Sequence, residues 1–330
     1  MSSRHAHFAL VSLFVIGGAG LAAQQPVPPT SWIDDEMLEE KIVAACQVAK
    51  VAGTLVRAEV LAAQSELATS YEMPVTSQRR GEALTPSDVH DLLLPSCRIV
   101  GHFYLCKECD EWHFSGASGF WVDTQGAIAT CAHVIAPDDS MREAFLVVAD
   151  LQGGVWPVVK VMAADPLSDV CILQTTARDT APLPLRAAVR TGERIYCLSN
   201  PDHQFGFFSE GLVARQFVRR PQALAKTGLP GQAAADLAAP RRSATWLHVT
   251  CDFCKGSSGA PIVDAFGNVV ALAQSTSTVV YDETATVADT QMVFKIATPS
   301  AALMALLRVP TAAEKPATEK PPDSAPRKGN

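Results

Sequence analysis

Downstream of Cys97 apolar residues come in short runs separated by polar and glycine-rich breaks, a rhythm that predicts strands rather than helices. Arg98 to Cys106, Ser118 to Asp123, Ala127 to Cys131, Phe145 to Leu151, Val155 to Val161 and Val170 to Thr175 form a first group, with turns at Gln125-Gly126 and Gln152-Gly153-Gly154. Arg194 to Ser199, Phe207 to Phe217, Thr245 to Thr250, Ala260 to Val263, Val269 to Gln274 and Met292 to Ala297 form a second. Two such groups predict two small antiparallel barrels or sandwiches.

The pattern before Cys97 differs. Leu38, Ile42, Ala45, Ala49, Ala52 and Val56 repeat at helical steps after a cap at Ser31, with Asp34, Asp35 and Glu36 in the first turn. One long amphipathic helix reaching about Ser70 is expected. Its apolar face either packs on the following domain or serves homo-oligomerisation or docking of a partner. Tyr71 to Gly81, with Arg79-Arg80, reads as an exposed linker, and a second helix starts at Thr85-Pro86-Ser87-Asp88 and stops before Pro95. Arg219 to Arg242 reads as a long surface loop, and Pro299 to Leu307 as a closing helix.

Composition narrows the class. The chain has 330 residues, of which 48% are apolar and 18% charged, so a packed core is affordable. A net charge of -7 argues against nucleic acid as a partner. Arg4, His5 and His7, the apolar run Phe8 to Ile16 and small residues through Ala22-Ala23 fit a secretory signal peptide, so a periplasmic or secreted location is expected. The expected division is a signal peptide over 1–23, a helical segment and linker over 24–95, an all-β domain over 96–308 and a disordered Pro/Lys/Ala-rich tail over 309–330.

Candidate chemistry lies at the strand ends. Thr130-Cys131-Ala132-His133 ends one predicted strand with an imidazole, and Asp169 opens another. Lys255-Gly256-Ser257-Ser258-Gly259-Ala260-Pro261 holds a serine in a tight turn of small residues. A hydroxyl needs a base to become a nucleophile, and a carboxylate at a core edge suits an imidazole N–H. The order His133, Asp169, Ser258 differs from that of subtilisin-like and α/β-hydrolase enzymes, and Ala260 departs from the nucleophile-elbow pattern.

These motifs resemble those of the trypsin-like (chymotrypsin-fold) serine proteases, in particular the HtrA/Deg branch. Thr130-Cys131-Ala132-His133-Val134, Asp165-Pro166-Leu167-Ser168-Asp169-Val170 and Gly256-Ser257-Ser258-Gly259-Ala260-Pro261 carry the likeness. Ser199-Asn200-Pro201, Ser209-Glu210-Gly211-Leu212-Val213 and Phe294-Lys295-Ile296-Ala297-Thr298-Pro299 extend it over about Cys97 to Leu307. The resemblance implies two six-stranded antiparallel β-barrels and, with the expected signal peptide, an exported endopeptidase that needs no cofactor and acts on protein or peptide substrates; the chain departs from the pattern in that no PDZ-like domain fits in the short tail. The resemblance also implies His133, Asp169 and Ser258 as the triad and the N–H groups of Gly256 and Ser258 as the oxyanion hole. Asp252 is the implied candidate for the base of the primary pocket, with Ala273, Gln274 and Ser275 on the opposite wall. The alternative is a catalytically silent protease-fold module that binds peptides or partners.

Nine cysteines in an exported chain imply that some pair. Cys171 and Cys197 lie in apolar strands and read as inert thiols. For Cys106-Lys107-Glu108-Cys109 and Cys251-Asp252-Phe253-Cys254, structural disulfides are the main expectation; joint zinc binding by Cys106, Cys109, Cys251 and Cys254 is the alternative.

Overall fold

The computed structural model describes residues 32–73, 78–79, 81–219, 244–280 and 290–308. The expected signal peptide, the body of the Arg219–Arg242 loop and the tail lie outside these residues. Two helices replace the single long one expected: α1 (Asp35–Val51) and α2 (Ala58–Ser65). Asp34 caps α1, accepting from Met37 N at 3.0 Å, and the helix ends where the N–H groups of Gly53 and Thr54 turn back onto the carbonyls of Lys50 and Ala49. Tyr71–Glu72 (β1), expected as linker, forms a short parallel pair with Leu307–Arg308. The helix α3 (Pro86–Leu93) starts as expected, with a reciprocal capping box between Thr85 and Asp88.

The strand pattern closes into two six-stranded antiparallel barrels. The first contains β2 (Cys97–Cys106), β3 (Trp112–Trp121), β4 (Ala127–Thr130), β5 (Met141–Ala149), β6 (Val155–Asp165) and β7 (Val170–Thr175), ordered β2-β3-β4-β7-β6-β5. The second contains β8 (Arg194–Ser199), β9 (Phe207–Arg219), β10 (Ala244–Val249), β11 (Pro261–Asp264), β12 (Val269–Val280) and β13 (Thr290–Pro299), ordered β10-β13-β12-β11-β8-β9. A helix, α4 (Ser300–Leu306), and the strand β14 (Leu307–Arg308) close the described chain.

Alternation along β2 shows how the layers form. Ile99 and Phe103 point one way, into a cluster with Leu38, Ile42 and Cys46 of α1. Val100 points the other way, to Trp121, Ile128, Leu146 and Leu173 inside the first barrel. The apolar face of α1 is therefore spent on the barrel, the packing alternative for this helix, while Val48 and Val51 remain exposed. Between the barrels one cluster joins Phe120 and Ile172 of the first to Tyr196, Val263 and Leu272 of the second. Val89 and Leu93 of α3 and Leu303 and Leu306 of α4 seal it. Among the described residues no helix is long and apolar enough to cross a membrane.

Candidate active site

Three strand ends converge where the barrels meet. His133 sits in a single 3-10 turn, Ala132–Val134, just after β4. Asp169 immediately precedes β7, and Ser258 lies in the turn before β11. His133 Nδ1 is 2.6 Å from Asp169 Oδ2, and His133 Nε2 is 3.0 Å from Ser258 Oγ. The backbone N–H of His133 also donates to Asp169 Oδ1 at 2.9 Å, so imidazole and main chain are fixed by one carboxylate. A base aligned on a hydroxyl, and itself aligned by an acid, is the arrangement that nucleophilic catalysis by serine requires.

Asp169 is 6% exposed, and burying a carboxylate is costly unless donors replace the lost water. A third donor, Gln274 Nε2, binds Asp169 Oδ2 at 2.9 Å. The residue adopts φ 55°, in the left-handed region that Asp tolerates better than most side chains, and these three bonds hold it there. Burial lowers the pKa of His133, while the hydrogen bond and the charge of Asp169 together raise it by more, so the net direction is upward from 6.5.

The serine turn is braced from both barrels. The carbonyls of residues 255–258 are engaged: Lys255 O accepts from Asp202 N at 2.7 Å, Gly256 O from Ser118 Oγ at 3.0 Å, Ser257 O from Ala260 N at 2.9 Å and Ser258 O from Ser118 N at 2.9 Å. Asn200 N and Nδ2 donate in turn to Ser118 Oγ, at 3.1 and 3.0 Å. Because a trans peptide sets C=O and N–H on opposite sides, anchoring Lys255 O on Asp202 turns the Gly256 N–H the other way. Among the described residues the N–H groups of Gly256 and Ser258 have no acceptor, as a pair reserved for an oxyanion would require. Gly259 has φ 87°, and a Cβ there would lie 2.2 Å from Thr130 Oγ1 and 2.4 Å from Ser118 O. Only glycine fits this contact between the barrels.

The residues expected around the primary pocket make distinct contacts. Asp252 is exposed at its side chain, 74%, and pairs with Lys295 Nζ at 2.9 Å; the same ammonium donates to Phe253 O at 2.6 Å. Its charge thus has a cation already. Ala273 is buried in the second barrel, where its carbonyl accepts from Gly259 N at 2.8 Å and from Cys131 Sγ at 3.3 Å. Gln274 uses its side chain on Asp169 and presents its carbonyl 3.3 Å from Ser258 Oγ. Ser275 donates its hydroxyl to Gln274 Oε1. The bracing by Ser118, by Asp202 and by the Gln274 amide had no signal in sequence, because each partner lies in a distant strand or loop.

The expectations for the two Cys-x-x-Cys pairs need correction. All nine cysteines are free thiols. Cys251 and Cys254 do not join Cys106 and Cys109; the group that comes together is Cys106, Cys109 and His113, in the β2–β3 hairpin of the first barrel. Burial raises the pKa of Cys131 and Cys171 well above the ordinary thiol value, which suits inert core residues.

Residues 117–272 match the family model of the trypsin-like peptidase domain. The serine protease HTRA2, mitochondrial, of Bos taurus is 29% identical over 163 residues, 48% of this chain and 31% of that protein. Two solved structures of the HtrA-type protease AlgW are similar. The one with a tripeptide has TM-score 0.45 and 15% identity, covering 67% of this chain and 61% of its own; the one with a decapeptide has 0.47 and 14%, covering 68% and 66%. The chain thus spans about a third of the curated relative and just under two thirds of these solved chains.

Proposed function

We propose that this chain, which carries a trypsin-like peptidase domain similar to that of HtrA proteases, is a serine endopeptidase working through an acyl-enzyme. Ser258 Oγ attacks the scissile carbonyl while His133 Nε2 takes its proton. Asp169 keeps the imidazole in the right tautomer and stabilises the imidazolium that forms. The negative charge of the tetrahedral intermediate falls on the N–H groups of Gly256 and Ser258, each such donor being worth about 10²- to 10³-fold in rate. On collapse His133 passes the proton to the leaving amine, and water then repeats the sequence on the acyl group. The observation that carries this reading is the continuous chain from Asp169 through His133 to Ser258, at 2.6 and 3.0 Å, beside two N–H groups that have no acceptor among the described residues.

Specificity follows from Asp252. With Lys295 paired to its carboxylate at an exposed position, Asp252 is not a free acid that would draw in a basic side chain, and small apolar residues are the expected choice before the cut. Peptides differing only in Arg or Val at that position test this: the Val peptide is cleaved at least as well, and a strong preference for Arg would refute it. Export fits the charged start, apolar run and small residues of 4–23 and is tested by cell fractionation. Hydrolysis of an unfolded protein by wild type, with loss in Ser258→Ala, tests the activity itself; equal hydrolysis by both would refute it.

A further inference from the structure

The β2–β3 hairpin carries chemistry that the peptidase reading does not use. Its tip has the spacing Cys106-x-x-Cys109-x-x-x-His113, and the two sulfurs and one imidazole nitrogen lie within 4.8 Å of one another. Cys106 ends β2, and His113 stands in β3 opposite Tyr104, so two of the three side chains are held by the sheet. Cys109 lies in the turn, with its Sγ 3.0 Å from His113 Nε2. Asp110 follows at φ 60°, which bends the chain back toward β3.

Two further features suit thiolates. Cys106 Sγ accepts the Glu108 N–H at 3.4 Å. An amide donor aimed at sulfur suits a thiolate ligand. The turn is also braced from outside, because Lys107 N donates to Ser140 O at 3.0 Å.

We propose that Cys106, Cys109 and His113 bind one zinc-class divalent ion, its fourth position filled by solvent. Soft thiolates with an imidazole are the donor set such ions prefer. Tetrahedral zinc keeps a sulfur and a nitrogen ligand about 3.5 Å apart, so metal entry opens the Cys109–His113 contact by roughly half an ångström, a small motion for an exposed side chain. The site lies in the first barrel and includes neither Cys251 nor Cys254, unlike a joint site of the two Cys-x-x-Cys pairs.

The test uses the full chain purified with reductant. Zinc content by mass spectrometry and titration with cobalt(II) are measured on wild type, Cys106→Ser/Cys109→Ser, His113→Ala and Cys254→Ser. Wild type and Cys254→Ser are expected to hold one ion per chain and to give thiolate-to-cobalt charge-transfer bands with the intense visible bands of a tetrahedral site. The double variant loses the ion, and His113→Ala binds at least tenfold more weakly while keeping its circular dichroism. The cobalt spectrum of wild type decides the matter even where a variant fails to fold. No binding at equimolar metal, undiminished binding in the double variant, or a Cys106–Cys109 disulfide in the chain as isolated without reductant would each overturn the proposal.

Discussion

Replacing Gln274 with alanine isolates the least expected part of the site. Gln274 Nε2 gives Asp169 Oδ2 one of its three hydrogen bonds, at 2.9 Å, and Asp169 is too buried for water to take its place freely. A hydrogen bond to a charged group is worth about 1.5–3 kcal/mol, equivalent to roughly 10- to 150-fold if it all appears in the transition state. The loss should fall near the low end, for a reason the geometry supplies. Asp169 keeps both bonds from His133, and a carboxylate with one donor fewer attracts the imidazolium more strongly. The variant should therefore show kcat/KM reduced about tenfold with most of the effect in kcat, and its acid limb should move to higher pH than in wild type. Steady-state hydrolysis of a peptide ester from pH 5 to 9 reads both. Lowered thermal stability with an unchanged kcat and an unmoved acid limb would show that Gln274 only supports the fold.

Two other perturbations follow from the same geometry. Gly259→Ala combines a positive φ with a Cβ pressed on Thr130 and on the Ser118 backbone. The sum of about 1–2 kcal/mol for the backbone and about 1–3 for overpacking predicts a loss of roughly 2–5 kcal/mol in urea unfolding, and a midpoint equal to wild type would refute it. Because Asp169 raises the His133 pKa above 6.5, activity should rise with pH through a midpoint above that value. Asp169→Asn should lower the midpoint and cost about 10⁴-fold in kcat. The same shift has a stability sign: the His133–Asp169 contribution is complete below the unfolded-state pKa and is lost as pH rises through the folded-state one. A stability gap between wild type and His133→Ala that widened with pH would contradict this.

Much of this architecture was legible because barrels repeat one simple pattern. The twelve strand positions follow from apolar runs, and the triad residues were recognisable because each stands at the end or start of such a run. Boundaries were less legible. The third strand of the chain begins at Trp112 rather than Ser118, since Gly116 looks like a turn residue although it pairs with Gly101 inside the sheet. The break between α1 and α2 was hidden by a run of alanines and valines that keeps helical spacing across Gly53. Side-chain roles fared worst where partners are remote in sequence. The Gln274 side chain binds Asp169, Asp252 pairs with Lys295, and Cys109 meets His113 rather than the second Cys-x-x-Cys pair. Spacing alone carries no information about such long-range pairings.

The central claim is that Ser258 is a nucleophile activated by His133, and a fluorophosphonate probe tests it most directly. Wild-type protein should be labelled at Ser258, located by mass spectrometry of the tagged peptide, while Ser258→Ala and His133→Ala should remain unlabelled. A folded wild-type chain that takes no label, or equal labelling of Ser258→Ala, would contradict the account.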